Sequence, residues 1–207
     1  MGHTREKKPI AYTVDAQNEA KCIVEYFPEF VEGVRVIMLI HRSKDGASHA
    51  SRHLRMFFTN GKKEFEEALG CLLEDRSRSS IEGLRIYSTV NCRDMKKAVR
   101  QFKHDLLDND DADYESWLYF FLGIKSRMSS AMMRPSSRGE TFFKFDVDNP
   151  LTLDRALAIF EESGVSDQIV KQYPTKNGWH IITKPFNYTT MTEQIPMEKD
   201  GLLLLKY

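Results

Sequence analysis

The stretch Phe143-Lys-Phe-Asp-Val-Asp148 holds two carboxylates at a spacing that could do chemistry. In a β-strand, successive side chains leave on opposite faces, so Asp146 and Asp148 fall on one face and Phe145 and Val147 on the other. Two carboxylates on an open sheet face can hold a divalent cation. Further along, Thr175-Lys-Asn-Gly-Trp-His180 places a turn and then an imidazole, and Glu198-Lys-Asp200-Gly supplies two more acids. Oxygen donors suit magnesium or manganese, and magnesium takes ligands at about 2.0–2.1 Å while keeping positions free for phosphate and water. Nucleotidyl transfer needs little more than that, because its catalysis is mostly charge neutralisation and alignment. Asp146 and Asp148 are the expected principal metal ligands. Asp200 completes the set, with Glu198 as the alternative. His180 is expected on a triphosphate oxygen, since a hard cation prefers oxygen to nitrogen.

Each residue also has a plainer use. Asp148-Asn-Pro150 can cap a helix, Asp200 before Gly201 suits a turn, and an isolated histidine is often a satisfied polar group. What raises the chemical reading is convergence, and convergence depends on the elements that carry the residues.

Those elements follow from hydrophobic period. Ala16 to Phe30 has helical spacing, Val34 to His41 and Leu54 to Thr59 read as strands, and Glu64 to Glu74 reads as an amphipathic helix. Leu84 to Val90 is a further strand and Asp94 to Leu107 a helix with a buried stripe at Met95, Ala98, Val99, Phe102 and Leu106. Acids from Asp105 to Glu115 form a solvated turn, and Trp117 to Phe121 reads as core. Lys125 to Gly139, rich in serine and carrying Lys125, Arg127, Arg134 and Arg138, reads as a mobile basic loop. Thr141 to Val147 is a strand, Asn149-Pro150 opens a helix, Gln168 to Tyr173 is a strand, and Asn177-Gly178 turns the chain into Trp179 to Thr183. A short helix or loop covers Tyr188 to Gln194, and Leu202 to Leu205 is the terminal strand.

The order strand, helix, strand, strand, helix, strand predicts an α+β fold: an RNA-recognition-motif-like (ferredoxin-like) lobe over 84–207, after a smaller αβ lobe over 1–83. In that topology the first strand is central and flanked by the third and fourth. Asp146 and Asp148 then lie beside the starts of the strands carrying His180 and Asp200.

These residues resemble the archaeo-eukaryotic primase superfamily, which includes the primase-polymerases. Phe145-Asp-Val-Asp148 is similar to its apolar-Asp-x-Asp strand, Thr175-Lys-Asn-Gly-Trp-His180 to its second motif of Ser-x-His type, and Asp200, loosely, to its apolar-acid third motif. At the second motif the small hydroxyl two places before the histidine is replaced by Gly178. The resemblance implies a metal-dependent nucleotidyltransferase core that joins nucleoside triphosphates to a 3′-hydroxyl on a single-stranded template and releases pyrophosphate. Asp146, Asp148 and His180 would be catalytic. Arg85, Arg93 and Lys184 are candidate triphosphate contacts and Lys125, Arg127, Arg134 and Arg138 candidate template contacts. The alternative is a primase-fold module without catalysis that binds nucleic acid or protein.

Composition bounds the rest. The 207 residues carry 30 basic and 30 acidic side chains, so no whole-molecule field draws the chain to polyanions. With 41% apolar and 29% charged residues the usage is globular. Cys22, Cys71 and Cys92 form no Cys-x-x-Cys pair, which points to reduced thiols in a cytoplasmic setting and away from zinc or iron–sulfur frameworks. His49 and His53, four apart, are a weaker zinc pair in a segment that reads as a loop. Nucleophile-elbow, phosphate-loop and dinucleotide-loop signatures are absent.

Overall fold

Residues 34–41 are apolar at almost every position because both faces of this strand are covered. Ile37 and Leu39 enter one core and Val36, Met38 and Ile40 another. The computed structural model describes residues 13–25, 33–41, 52–108, 113–139, 141–175 and 177–206. His49 and Asp110 to Asp111 lie outside these residues, as does the segment expected to continue the first helix to Phe30.

In chain order the elements are α1 (Val14–Glu25), β1 (Val34–His41), β2 (Arg52–Asn60), α2 (Lys62–Arg78), β3 (Leu84–Thr89) and α3 (Met95–Leu107). They are followed by α4 (Tyr114–Leu122), α5 (Ile124–Met133), β4 (Phe143–Asp148), α6 (Leu153–Glu162), β5 (Ile169–Pro174), β6 (Gly178–Thr183), β7 (Met197–Glu198) and β8 (Leu202–Lys206). The fold is α+β, with two four-stranded antiparallel sheets and, among the described residues, six α-helices. None of those helices is long and apolar enough to cross a membrane.

The first sheet has the order β2-β1-β3-β8. On one side α1 and α2 cover it through Ala20, Val24, Phe65, Leu69 and Leu72. On the other, Tyr87 joins Val36 and Met38, and Met133 of α5 packs against them.

The second sheet has the order β5-β6-β4-β7, so β4 is central as expected. Phe143, Phe145 and Val147 point to α6 and bury against Ala156, Ile159 and Phe160. Phe145 meets Phe160 edge-on at 5.1 Å between ring centroids, which fixes one face of the strand and leaves its alternate residues to the other. Thr152 caps α6 by accepting from the Arg155 amide, so the helix starts three residues after Pro150 rather than at it. The Asn149–Pro150 peptide is cis. A single 3₁₀ turn, Tyr188–Thr190, stands where the second helix was expected.

Strand membership differs from expectation in one respect that matters for the site. Leu202–Lys206 does not flank β4; it pairs with β3 in the first sheet, while the strand beside β4 is the two-residue β7. Leu203 is drawn into the core beneath α1 and α2, which accounts for the choice. The first sheet thereby takes strands from both sides of residue 83.

The basic stretch 125–139 is also different. It forms α5 and a 3₁₀ turn, Pro135–Ser137, whose end is tied by the Ser137 hydroxyl donating to the Ala131 carbonyl at 2.7 Å. Trp117 to Phe121 is helical, but Phe120 alone of that run is buried, and Tyr119 and Phe121 face outward.

Candidate active site

Antiparallel register places Asp146 directly opposite His180, and His180 opposite Tyr173. Directly paired residues share a face. The imidazole Nε2 lies 2.9 Å from Asp146 Oδ1, with His180 itself only 9% exposed. One row further along, Asp148 stands opposite Gly178 on the same face. The three residues singled out by spacing are therefore gathered on one side of one sheet.

Gly178 explains how the two strands come so close. A Cβ there would run into the Val147 carbonyl and would stand 2.9 Å from Asp148 Oδ1. The position two before the histidine thus excludes any side chain, a hydroxyl-bearing one included. Thr175, the nearest hydroxyl upstream, accepts from the Gly178 amide at 3.0 Å and closes the turn.

Lys144, two residues before Asp146 on the same face, was not singled out by sequence. It is 5% exposed, with its Nζ 3.4 Å from Asp146 Oδ1 and 2.9 Å from Glu198 Oε2. A lysine in an alternating strand reads as solvated; the pairing with Glu198 across β4 and β7 and the close approach of Gly201 enclose this one. Burial pushes the Asp146 carboxyl up, but the hydrogen bond from His180 and the charge of Lys144 outweigh it, so the net shift is below the usual aspartate range. Asp146 is a carboxylate at neutral pH.

Asp200 is placed otherwise. Arg93, 1% exposed, holds its Oδ2 at 2.9 Å and Asn91 donates to its Oδ1 at 3.3 Å. The Lys199 carbonyl accepts from Asn91 at 2.9 Å and from Arg138 at 3.0 Å. Asp200 therefore anchors the turn between β7 and β8, and the acid that shares a partner with Asp146 is Glu198.

The remaining cations scatter. Arg93 is committed to Asp200, Arg134 to Asp105 at 2.9 Å, and Arg138 to the carbonyls of Pro135 and Lys199. Arg127 lies over the Phe120 ring at 4.4 Å, and Lys125 is exposed on α5. Arg85 lies on β3 in the first sheet. Lys184 follows the far end of β6, four residues beyond His180, or about 13 Å along an extended chain. Neither is brought beside Asp146 by strand pairing.

A cavity of about 500 Å³ opens beside β4 where the short β7 stops pairing. Its polar lining includes Asp146, Asp148, Asn149, Glu193 and Gln194, and its apolar lining includes Leu151, Ile159 and Ile195. Among the described residues no three acidic, imidazole or thiol side chains are grouped closely enough to enclose a metal by themselves. Two carboxylates at a cavity mouth suit an ion that draws its other ligands from water and phosphate, as magnesium does. The donor set fits such a cation.

No protein-family model matches the chain, and no curated protein and no solved structure matches it either.

Proposed function

We propose that the protein is a metal-dependent nucleotidyltransferase of primase-polymerase type, adding nucleoside triphosphates to a 3′-hydroxyl with release of pyrophosphate. The observation that carries this reading is the pairing of Asp146 with His180 across β4 and β6, with Asp148 on the same face at the mouth of a cavity. The strand order supports a ferredoxin-like lobe: numbered within the second sheet it runs fourth, first, third, second, with every neighbour antiparallel. In this reading the fourth strand is β7, where Glu198 stands beside β4 as the partner of Lys144.

Asp146 and Asp148 hold magnesium or manganese, which supplies charge neutralisation for the triphosphate and the attacking oxygen. His180 orients Asp146 through Nε2, and triphosphate contact falls to it when substrate enters. The cavity beside β4, lined by both polar and apolar side chains, accepts the nucleoside.

Primer extension with manganese and all four nucleoside triphosphates tests the reading. The double substitution Asp146→Asn and Asp148→Asn is expected to abolish incorporation while leaving the far-ultraviolet circular dichroism unchanged. Equal incorporation by the substituted chain would reject the assignment. Salt-sensitive nucleic-acid binding with no incorporation by the unsubstituted chain would identify the non-catalytic module instead.

A further inference from the structure

Lys144 has a position unusual for a lysine in a two-carboxylate site. Its ammonium has three hydrogens and no acceptor, and three oxygens surround it: Glu198 Oε2 at 2.9 Å, Leu202 O at 3.2 Å and Asp146 Oδ1 at 3.4 Å. A buried ammonium is stable only when paired in this way. Gly201 closes over the group, since a Cβ there would stand 2.9 Å from Lys144 Cε and would strike the Glu198 carboxylate. The chain thus builds a dedicated seat for a positive charge between two acids.

Sites for nucleotidyl transfer can hold two divalent ions about 3.5–4 Å apart, bridged by shared carboxylates. Here the space between Asp146 Oδ1 and Glu198 Oε2 already contains a cation belonging to the protein. A second metal on those oxygens would have to displace the ammonium, because both would compete for the same lone pairs at close range. Asp148 has no cationic partner among the described residues, and the Lys144 and His180 contacts to the Asp146 carboxylate both fall on Oδ1.

We propose that Lys144 is a resident counter-ion standing in for one of two metals, so that the site takes a single divalent ion, on Asp146 and Asp148. Glu198 then serves to hold Lys144 and does not ligate the metal. The inference rests on the metal-site reading above and sharpens it from a cation of unstated number to one.

Manganese titration of the full chain, read by the electron paramagnetic resonance of free Mn²⁺, separates the possibilities. The unsubstituted chain is expected to saturate at one ion. Lys144→Met is expected to take a second, and Lys144→Arg, which keeps the charge, to stay at one, with thermal melting used to check each fold. Glu198→Gln, at a residue whose side chain is 53% exposed, gives a test that does not depend on how the buried position tolerates change. Its Mn²⁺ affinity is expected within about twofold of the unsubstituted chain. Two ions in the unsubstituted chain, a folded Lys144→Met still at one, or a tenfold or greater loss in Glu198→Gln would each overturn the inference while leaving a metal site in place. No uptake by any of these proteins would remove the metal site itself and the inference with it.

Discussion

Asp146 is held between opposing forces. Its surroundings are dry enough to favour the neutral acid, yet the His180 hydrogen bond and the Lys144 charge win, and its carboxyl titrates below the ordinary value of about 3.9. A carboxyl depressed on folding stabilises the fold above its unfolded value, and that contribution is lost as pH falls through the folded one. His180→Ala removes the largest of the opposing effects, so the Asp146 midpoint is expected to rise. Carboxyl carbon NMR across an acid titration measures it, and an unmoved midpoint would show that His180 does not control this group. The nearness of Asp146 and His180 was legible from sequence because a two-residue period sets the face of each and the expected strand order sets the third strand beside the first. Lys144 was not, because its burial is imposed by Glu198 and Gly201, residues more than fifty positions away whose strand partner cannot be read locally.

At the scale of elements, the β4–β6 pair depends on the bare backbone at Gly178. Gly178→Ala would force the Val147 carbonyl aside, and a loss of about 2 kcal/mol or more is expected in urea denaturation. Stability within a few tenths of a kcal/mol of the unsubstituted chain would mean that the strands can part without cost. The strands other than the two-residue β7, together with α2, α3 and α6, were recognisable from their apolar periods. The helix α5 was not: serines at 126, 129 and 130 weaken helical preference, and the segment is helical because Ala131 and Met132 bury and its far end is tied through Ser137. The same tertiary control defeats the reading of Trp117 to Phe121 as core, since Phe120 takes the buried place against Phe102 and its neighbours turn out.

For the molecule as a whole, the junction between the two sheets is the turn after Glu198. Asn91 and Arg93 reach it from the segment after β3 and Arg138 from the end of the 3₁₀ turn, and the Arg93 backbone bridges to both Val34 and Arg138. Asp200→Asn would leave the Arg93 guanidinium buried without its counter-charge, and a loss of about 2–3 kcal/mol is expected by thermal or denaturant unfolding. Mn²⁺ affinity is expected to survive that change. The opposite pattern, intact stability with lost affinity, would return Asp200 to the metal. Sequence order alone could not foresee this arrangement, because the expected four-strand lobe assigned Leu202 to Leu205 to the nearest sheet, and the apolar demand of Leu203 sends it to the other.

The pairing of β8 with β3 has a consequence for how the protein is made. A ribosome delivers Leu84–Thr89 more than a hundred residues before the strand that completes its edge. The hairpin of β5 and β6, and its docking on β4, can form while that edge is still bare. During synthesis the earlier sheet therefore waits on the later one, and a nascent chain stalled before residue 202 would present an unsatisfied strand to chaperones or to its neighbours on the polysome.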